Sequence, residues 1–170
     1  MGESYLGLVR GHPMAQQKRD EIRAQVQSWL IDEGYKVSIE DNPKTYYTII
    51  AEHPTKMHIV VSQALDSKDR LTIEGGLQIP DQFRKLPETE RLDVLWDIRY
   101  GLVNNEISFV MLPNGRLPER IVLLKNIWYD GLTKNSLMNT AQKVVEGKLM
   151  TLWKIQRKLG APEPKDNMVV

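Results

Sequence analysis

Apolar residues recur along the chain at two different periods, and the switches between them mark the elements. Ile22, Val26, Trp29 and Leu30 repeat at helical spacing, with Arg, Gln, Ser and Ala between them. Gly34 follows where a C-cap glycine belongs. The spacing predicts an amphipathic helix over 17–33 with Trp29 on its buried stripe. The period then drops to two. Tyr35, Val37 and Ile39 alternate with Lys36, Ser38 and Glu40, the pattern of a half-buried strand. Asp41-Asn42-Pro43 has turn chemistry. Further strands are expected at 45–52, 57–63 and 71–74, the last ending at Gly75-Gly76.

The second half repeats the alternation of periods. Pro80 and Pro87 bracket a short helix near 80–86. Pro87 suits the first turn of the next helix, because its missing N–H has no intrahelical duty there. Leu92, Leu95, Trp96, Arg99 and Val103 mark that helix to about Asn104. Strands follow at 106–112 and 120–128, joined through Pro113-Asn114-Gly115. Thr133 is placed to cap a long last helix over 134–159, with Leu137, Ala141, Val144, Leu152, Ile155 and Leu159 on its apolar stripe. The expected organisation is a flexible arm over 1–16, a single α+β domain over 17–159 and a mobile tail over 160–170. Short connections between neighbouring strands predict an antiparallel sheet, and its apolar face needs helices to cover it.

Composition narrows the function classes. A chain of 170 residues, 41% apolar and 26% charged, is an ordinary globular domain. It has no cysteine, which excludes a disulfide scaffold, a thiolate metal site and a cysteine nucleophile. No apolar run is long enough to span a bilayer, and the start does not read as a signal peptide. Gly2 lacks the Ser or Thr that myristoylation wants at the sixth position, where Leu6 stands. The expectation is a cytoplasmic protein with no membrane partner. A net charge of +1 argues against gripping long stretches of nucleic acid.

Several residues are candidates for chemistry, each with a plain alternative. His53, His58 and Glu52 flank one turn, but without cysteine or a helical His-Glu-x-x-His they read as turn histidines rather than metal ligands. Glu90, Asp93 and Asp97 share one side of a helix, with Arg84, Arg91 and Arg99 nearby, and read as a solvated face. Gly75-Gly76 lacks the phosphate-loop pattern and reads as a bulge or bend at a strand end. No serine sits in a nucleophile elbow. No catalytic residue, cofactor or metal is therefore expected. Lys143, Lys154, Arg157 and Lys158 form a basic stripe on the last helix, the best argument for nucleic-acid or ribosome association. Cations near a helix C-terminus also oppose its dipole favourably.

Apolar surface is the stronger signal. The strand at 45–52 carries Tyr46 and Ile50 on one face and Tyr47 and Ile49 on the other. The strand at 120–128 sets Ile121, Leu123 and Ile127 against Val122, Leu124 and Trp128. The second faces must pack on a helix of the chain or on a partner. Tyr46, Leu124 and Trp128 are the candidate partner contacts.

The opening helix Ile22–Leu30 running into Gly34-Tyr35-Lys36-Val37, the strand pair 45–63, and the closing pair 106–128 with its long helix carry a resemblance. Their order, α-β-β-β-α-β-β-α, resembles the fold of type III secretion chaperones and of an archaeal family of unknown function that shares it. It spans about 17–159. The resemblance implies a non-enzymatic, chaperone-like protein, often a homodimer, that holds an extended partner polypeptide along sheet and helix faces. Chaperones of that class are typically acidic, whereas this chain is near neutral.

Overall fold

The computed structural model describes residues 13–67, 69–114 and 116–160. Helix α1 (Pro13–Asp32) leads into strands β1 (Lys36–Glu40), β2 (Thr45–Glu52), β3 (His58–Ala64) and β4 (Arg70–Gln78). The short helix α2 (Asp81–Arg84) and helix α3 (Glu88–Asn104) follow, then β5 (Ser108–Leu112), β6 (Arg120–Trp128), a single 3-10 turn (Tyr129–Gly131) and helix α4 (Lys134–Lys158).

The strands form one six-stranded sheet in the order β1-β2-β3-β4-β6-β5. Every neighbouring pair is antiparallel. The molecule is thus a single α+β unit, with four strands rather than three before its middle helices. Helix α1 starts at Pro13, within the span expected to be an arm, because proline is tolerated in a first turn. The rest of that arm, residues 1–12, and the tail beyond Gly160 lie outside the described residues.

Local chemistry explains the element ends. Gly34 takes φ +81°, and the Tyr35 amide donates back to the Leu30 carbonyl at 3.0 Å, closing α1 as a glycine C-cap does. Thr133 caps α4: its hydroxyl accepts from the Ser136 amide at 3.1 Å, and Ser136 Oγ accepts from the Thr133 amide at 2.8 Å.

One correction concerns the diglycine. Strand β4 does not stop at Gly75-Gly76 but runs on to Gln78, with Gly75 opposite Leu123 and Gly76 opposite Val122. The glycines serve close approach rather than a bend. A Cβ on Gly75 would lie 2.6 Å from Lys148 Cδ and 2.8 Å from Val144 Cγ1 of α4. A Cβ on Gly76 would lie 2.6 Å from Arg120 Nη2.

The core lies between one face of the sheet and the helices. Ile49, Ala51, Ile59, Val61, Leu71, Ile73, Ile121 and Leu123 are buried there. Val26 and Leu30 of α1, Leu95, Ile98 and Leu102 of α3, and Leu137, Ala141 and Val144 of α4 meet them. Helix α4 runs across β3, β4 and β6, with α1 and α3 against its sides. The long helices therefore share one face of the sheet, and among the described residues no long helix lies on the other, the uncovered face, where Thr48 and Ser62 are nonetheless buried.

Candidate functional site

The uncovered face follows from strand alternation. Ser38, Ile50, Val60, Glu74, Leu124 and Ser108 lie in one register row across all six strands. Beside them stand Gly76, Val122 and Val110, then Gln78, Arg120 and Leu112. On the other side a polar row runs Thr48, Ser62, Thr72 and Asn126, with the Thr72 hydroxyl donating to Asn126 Oδ1 at 2.8 Å. An antiparallel sheet with a solvated face is expected to alternate polar outward. Here Ile50, Val60, Val122 and Leu124 are half-buried, and Val110 and Leu112 are exposed. Trp128 is 57% exposed, with the Arg70 guanidinium 5.5 Å from its ring centre.

Two of the three expected partner contacts share this face. Leu124 and Trp128 both look outward from β6. Tyr46 stands apart, on β2, three strands across, or about 14 Å at about 4.8 Å per strand. The β2–β3 register slips between Thr45 and Tyr47, so Tyr46 is the extra residue of a bulge. Its ring lies beneath α1, with Arg19 Cζ 3.8 Å from the ring centre. A cleft of ≈ 330 Å³ opens beside it, bounded among others by Arg23, Ile39, Asn42, Thr45 and Tyr47.

The basic stripe meets its own counter-ions. Lys154 Nζ lies 2.5 Å from Asp97, and Lys158 Nζ lies 2.7 Å from Glu90, both on α3. Lys143 reaches Glu106 at 3.5 Å. Acids and bases that read separately as two solvated faces are therefore each other's partners. Arg157 is exposed and makes no ion pair among the described residues.

The histidines do not converge. His58 Nε2 lies 3.4 Å from Glu52, while His53 Nδ1 bonds the Thr55 hydroxyl at 2.7 Å and packs edge-on to Tyr35. Burial holds His53 below the usual imidazole range. The hydrogen bond from Lys56 lowers the Glu52 carboxyl. Among the described residues no group of three or more His, Asp or Glu is placed to hold a metal ion. Nor is any helix among them long and apolar enough to cross a membrane.

Three features escaped the sequence. Gln63 sits in the core register of β3 after Ile59 and Val61. It donates to the Ser67 carbonyl at 2.7 Å and accepts a short hydrogen bond from the Tyr129 hydroxyl, which lies 3.4 Å from Tyr47 Oη. Burial raises both tyrosine hydroxyls above their usual range. Lys148 stands on the buried stripe of α4, only 4% exposed, and donates to the His58 carbonyl at 2.6 Å. A polar residue at a core position was the available signal in both cases. The third feature is on α3, where Leu95, Ile98 and Leu102 are buried while Trp96, Tyr100 and Val103 face outward at 53%, 66% and 63% exposure. Of the residues that marked this helix, Trp96 and Val103 thus belong to an outer stripe.

A family model described as "Uncharacterized conserved protein (DUF2299)" matches residues 22–155, which spans both the sheet and the helices that cover it. The chain belongs to the DUF2299 family. Among curated proteins none matches. An uncharacterized protein from Methanothermobacter thermautotrophicus shares the fold, with a TM-score of 0.73 at 20% identity over 80% of this chain and 97% of that one. YbjN from E. coli, a candidate transcription regulator, superposes at a TM-score of 0.49 and 12% identity over 78% of this chain and 89% of that one. The family is thus one of uncharacterized proteins, and the fold is shared with an uncharacterized archaeal protein.

Proposed function

We propose that this DUF2299 protein is a non-catalytic, chaperone-like binding module that holds a partner polypeptide across the uncovered face of its sheet. The observation that carries this reading is the apolar band of Ile50, Val60, Val122 and Leu124 on a face that no long helix among the described residues covers. An extended polypeptide laid there removes that band from water and keeps its own backbone extended. The module works in the cytoplasm as a homodimer. Edge strand β5, Ser108-Phe109-Val110-Met111-Leu112, carries no charge to discourage pairing, whereas the other edge, β1, is flanked by Lys36 and Glu40. The outer stripe of Trp96, Tyr100 and Val103 lies on α3, the helix that contacts β5, and supports the same choice of edge.

The test of binding is an array of overlapping peptides from the source organism, probed with labelled protein. Discrete apolar peptides are expected to bind, and Leu124→Asp is expected to weaken them about tenfold while the fold persists. An array without binders, or binding that Leu124→Asp leaves untouched, sinks the reading. Sedimentation at micromolar concentration tests the dimer. Trp96→Asp with Tyr100→Asp should give monomers, and a wild-type protein that is already monomeric rejects that half.

A further inference from the structure

Two arginines bound the uncovered face along β6. Arg120 opens the strand, opposite Gln78, and Arg70 of β4 lies opposite Trp128 at its end. They are about 27 Å apart at about 3.4 Å per residue. The Arg120 side chain lies in space that a glycine leaves open. Its guanidinium lies against Gly76, where a Cβ would stand 2.6 Å from Nη2, 3.0 Å from Nε and 3.2 Å from Cζ. Glycine at this point lets the planar group rest on the strand, exposed to solvent. Among the described residues Arg120 makes no ion pair, and Arg70 makes none either, donating instead to Ser67 Oγ at 3.3 Å. On the opposite side of the same strand, beneath Gly75, Lys148 brings a further amine that has no carboxylate partner among the described residues. The acidic group of β4 on the uncovered face is Glu74, opposite Leu124, and it pairs with neither arginine.

We propose that the uncovered face selects polypeptide segments whose apolar side chains are bounded by acidic ones, one carboxylate seating on Arg120 at Gly76 and another meeting Arg70 beside Trp128. This names the partner chemistry for the binding reading above and rests on it. The guanidinium fork pairs with a carboxylate through two parallel hydrogen bonds, a geometry that a lysine at the same place would not reproduce. The apolar band supplies affinity, and the two charges supply choice of segment and register. Salt weakens the choice more than the affinity, because Arg120 is exposed, Arg70 is half-buried and the band is not charged.

The experiment uses three synthetic peptides of 12 residues with one shared apolar core, flanked by Glu, by Lys or by Ser, titrated into the full chain and followed by anisotropy. The Glu-flanked peptide is expected to bind about tenfold more tightly than the Lys-flanked one at low salt. Arg120→Gln should remove most of that preference, and Arg120→Glu should invert it toward the Lys-flanked peptide. Equal affinity for all three, lost in Leu124→Asp, overturns the charge selection and leaves the face as the binding site. Tighter binding of the Lys-flanked peptide by the wild-type protein overturns the proposal and points to Glu74 instead. Binding of no peptide at all overturns this proposal and the reading beneath it. A single-stranded RNA 12-mer that binds through Arg120 in place of the peptides also overturns it, since the ligand is then not a polypeptide.

Discussion

On β6, Ile121, Leu123 and Ile127 lie buried on the helix-covered side, while Val122, Leu124 and Trp128, one residue away each, look out from the uncovered side. The two sets are about equally apolar. What separates them is the layer of helices, which the strand itself does not encode. Alternation assigns residues to two faces but does not say which face has a lid. An apolar face without a lid is the feature that a binding protein keeps and a purely structural sheet replaces with polar residues.

Paired substitutions sharpen this contrast. Leu123→Ala on the covered side leaves a hole in a packed core and is expected to cost about 2–5 kcal/mol in urea unfolding. Leu124→Ala on the uncovered side should cost less than about 1 kcal/mol. Equal losses would mean that both faces are covered in solution.

The diglycine gives a smaller version of the same experiment. Gly75→Ala drives a methyl into Val144 Cγ1 and Lys148 Cδ beneath α4, and overpacking of this kind costs about 1–3 kcal/mol. Gly76→Ala meets only the free end of Arg120. That end can swing outward, so the expected change in stability is about 0.5 kcal/mol or less. A Gly76→Ala loss as large as that of Gly75→Ala would show that the uncovered side is packed there too.

The smallest effect is a slope rather than a level. Burial, and then the charge of Arg120, hold the Lys148 amine below its ordinary value of 10.5. The unfolded chain then binds that proton more tightly than the folded one. The contribution of Lys148 to stability is therefore lowest below its depressed pKa and rises as pH climbs toward 10.5. Lys148→Met should flatten this rise in a series of urea titrations across alkaline pH. A variant that keeps the wild-type slope would place the charge elsewhere.

Much of the fold was legible because its signals are local. The period-3.6 run ending at Gly34 gave α1 its stop, and the alternation over 120–128 matched β6 at both ends. Thr133 announced α4 through its cap. The losses all arise from contacts distant in sequence. Glycines read as a strand end because the demand for them comes from Lys148 and Arg120, which lie more than forty residues away. The α3 and α4 stripes looked like two solvated faces because Asp97 and Lys154 meet only once the helices pack. Tyr46 was assigned by alternation, and the bulge re-aimed it toward Arg19. Within the candidate site, the residue types were visible, but their shared face and the space that Gly76 leaves for Arg120 were not.

The order of the strands has a kinetic side. The pairings β1–β2, β2–β3 and β3–β4 each close through a short turn, but β4 meets β6 only after a detour through α2, α3 and β5. Gln78 pairs with Arg120, so the detour is about forty residues, and closing it costs about 2 kcal/mol more chain entropy than closing a hairpin loop of about four residues. Long-range pairing of this kind governs how fast a two-state domain folds. The β4–β6 seam is therefore the pairing with the largest closure cost among these, the same seam where Gly75 and Gly76 admit Lys148 from one side and Arg120 from the other.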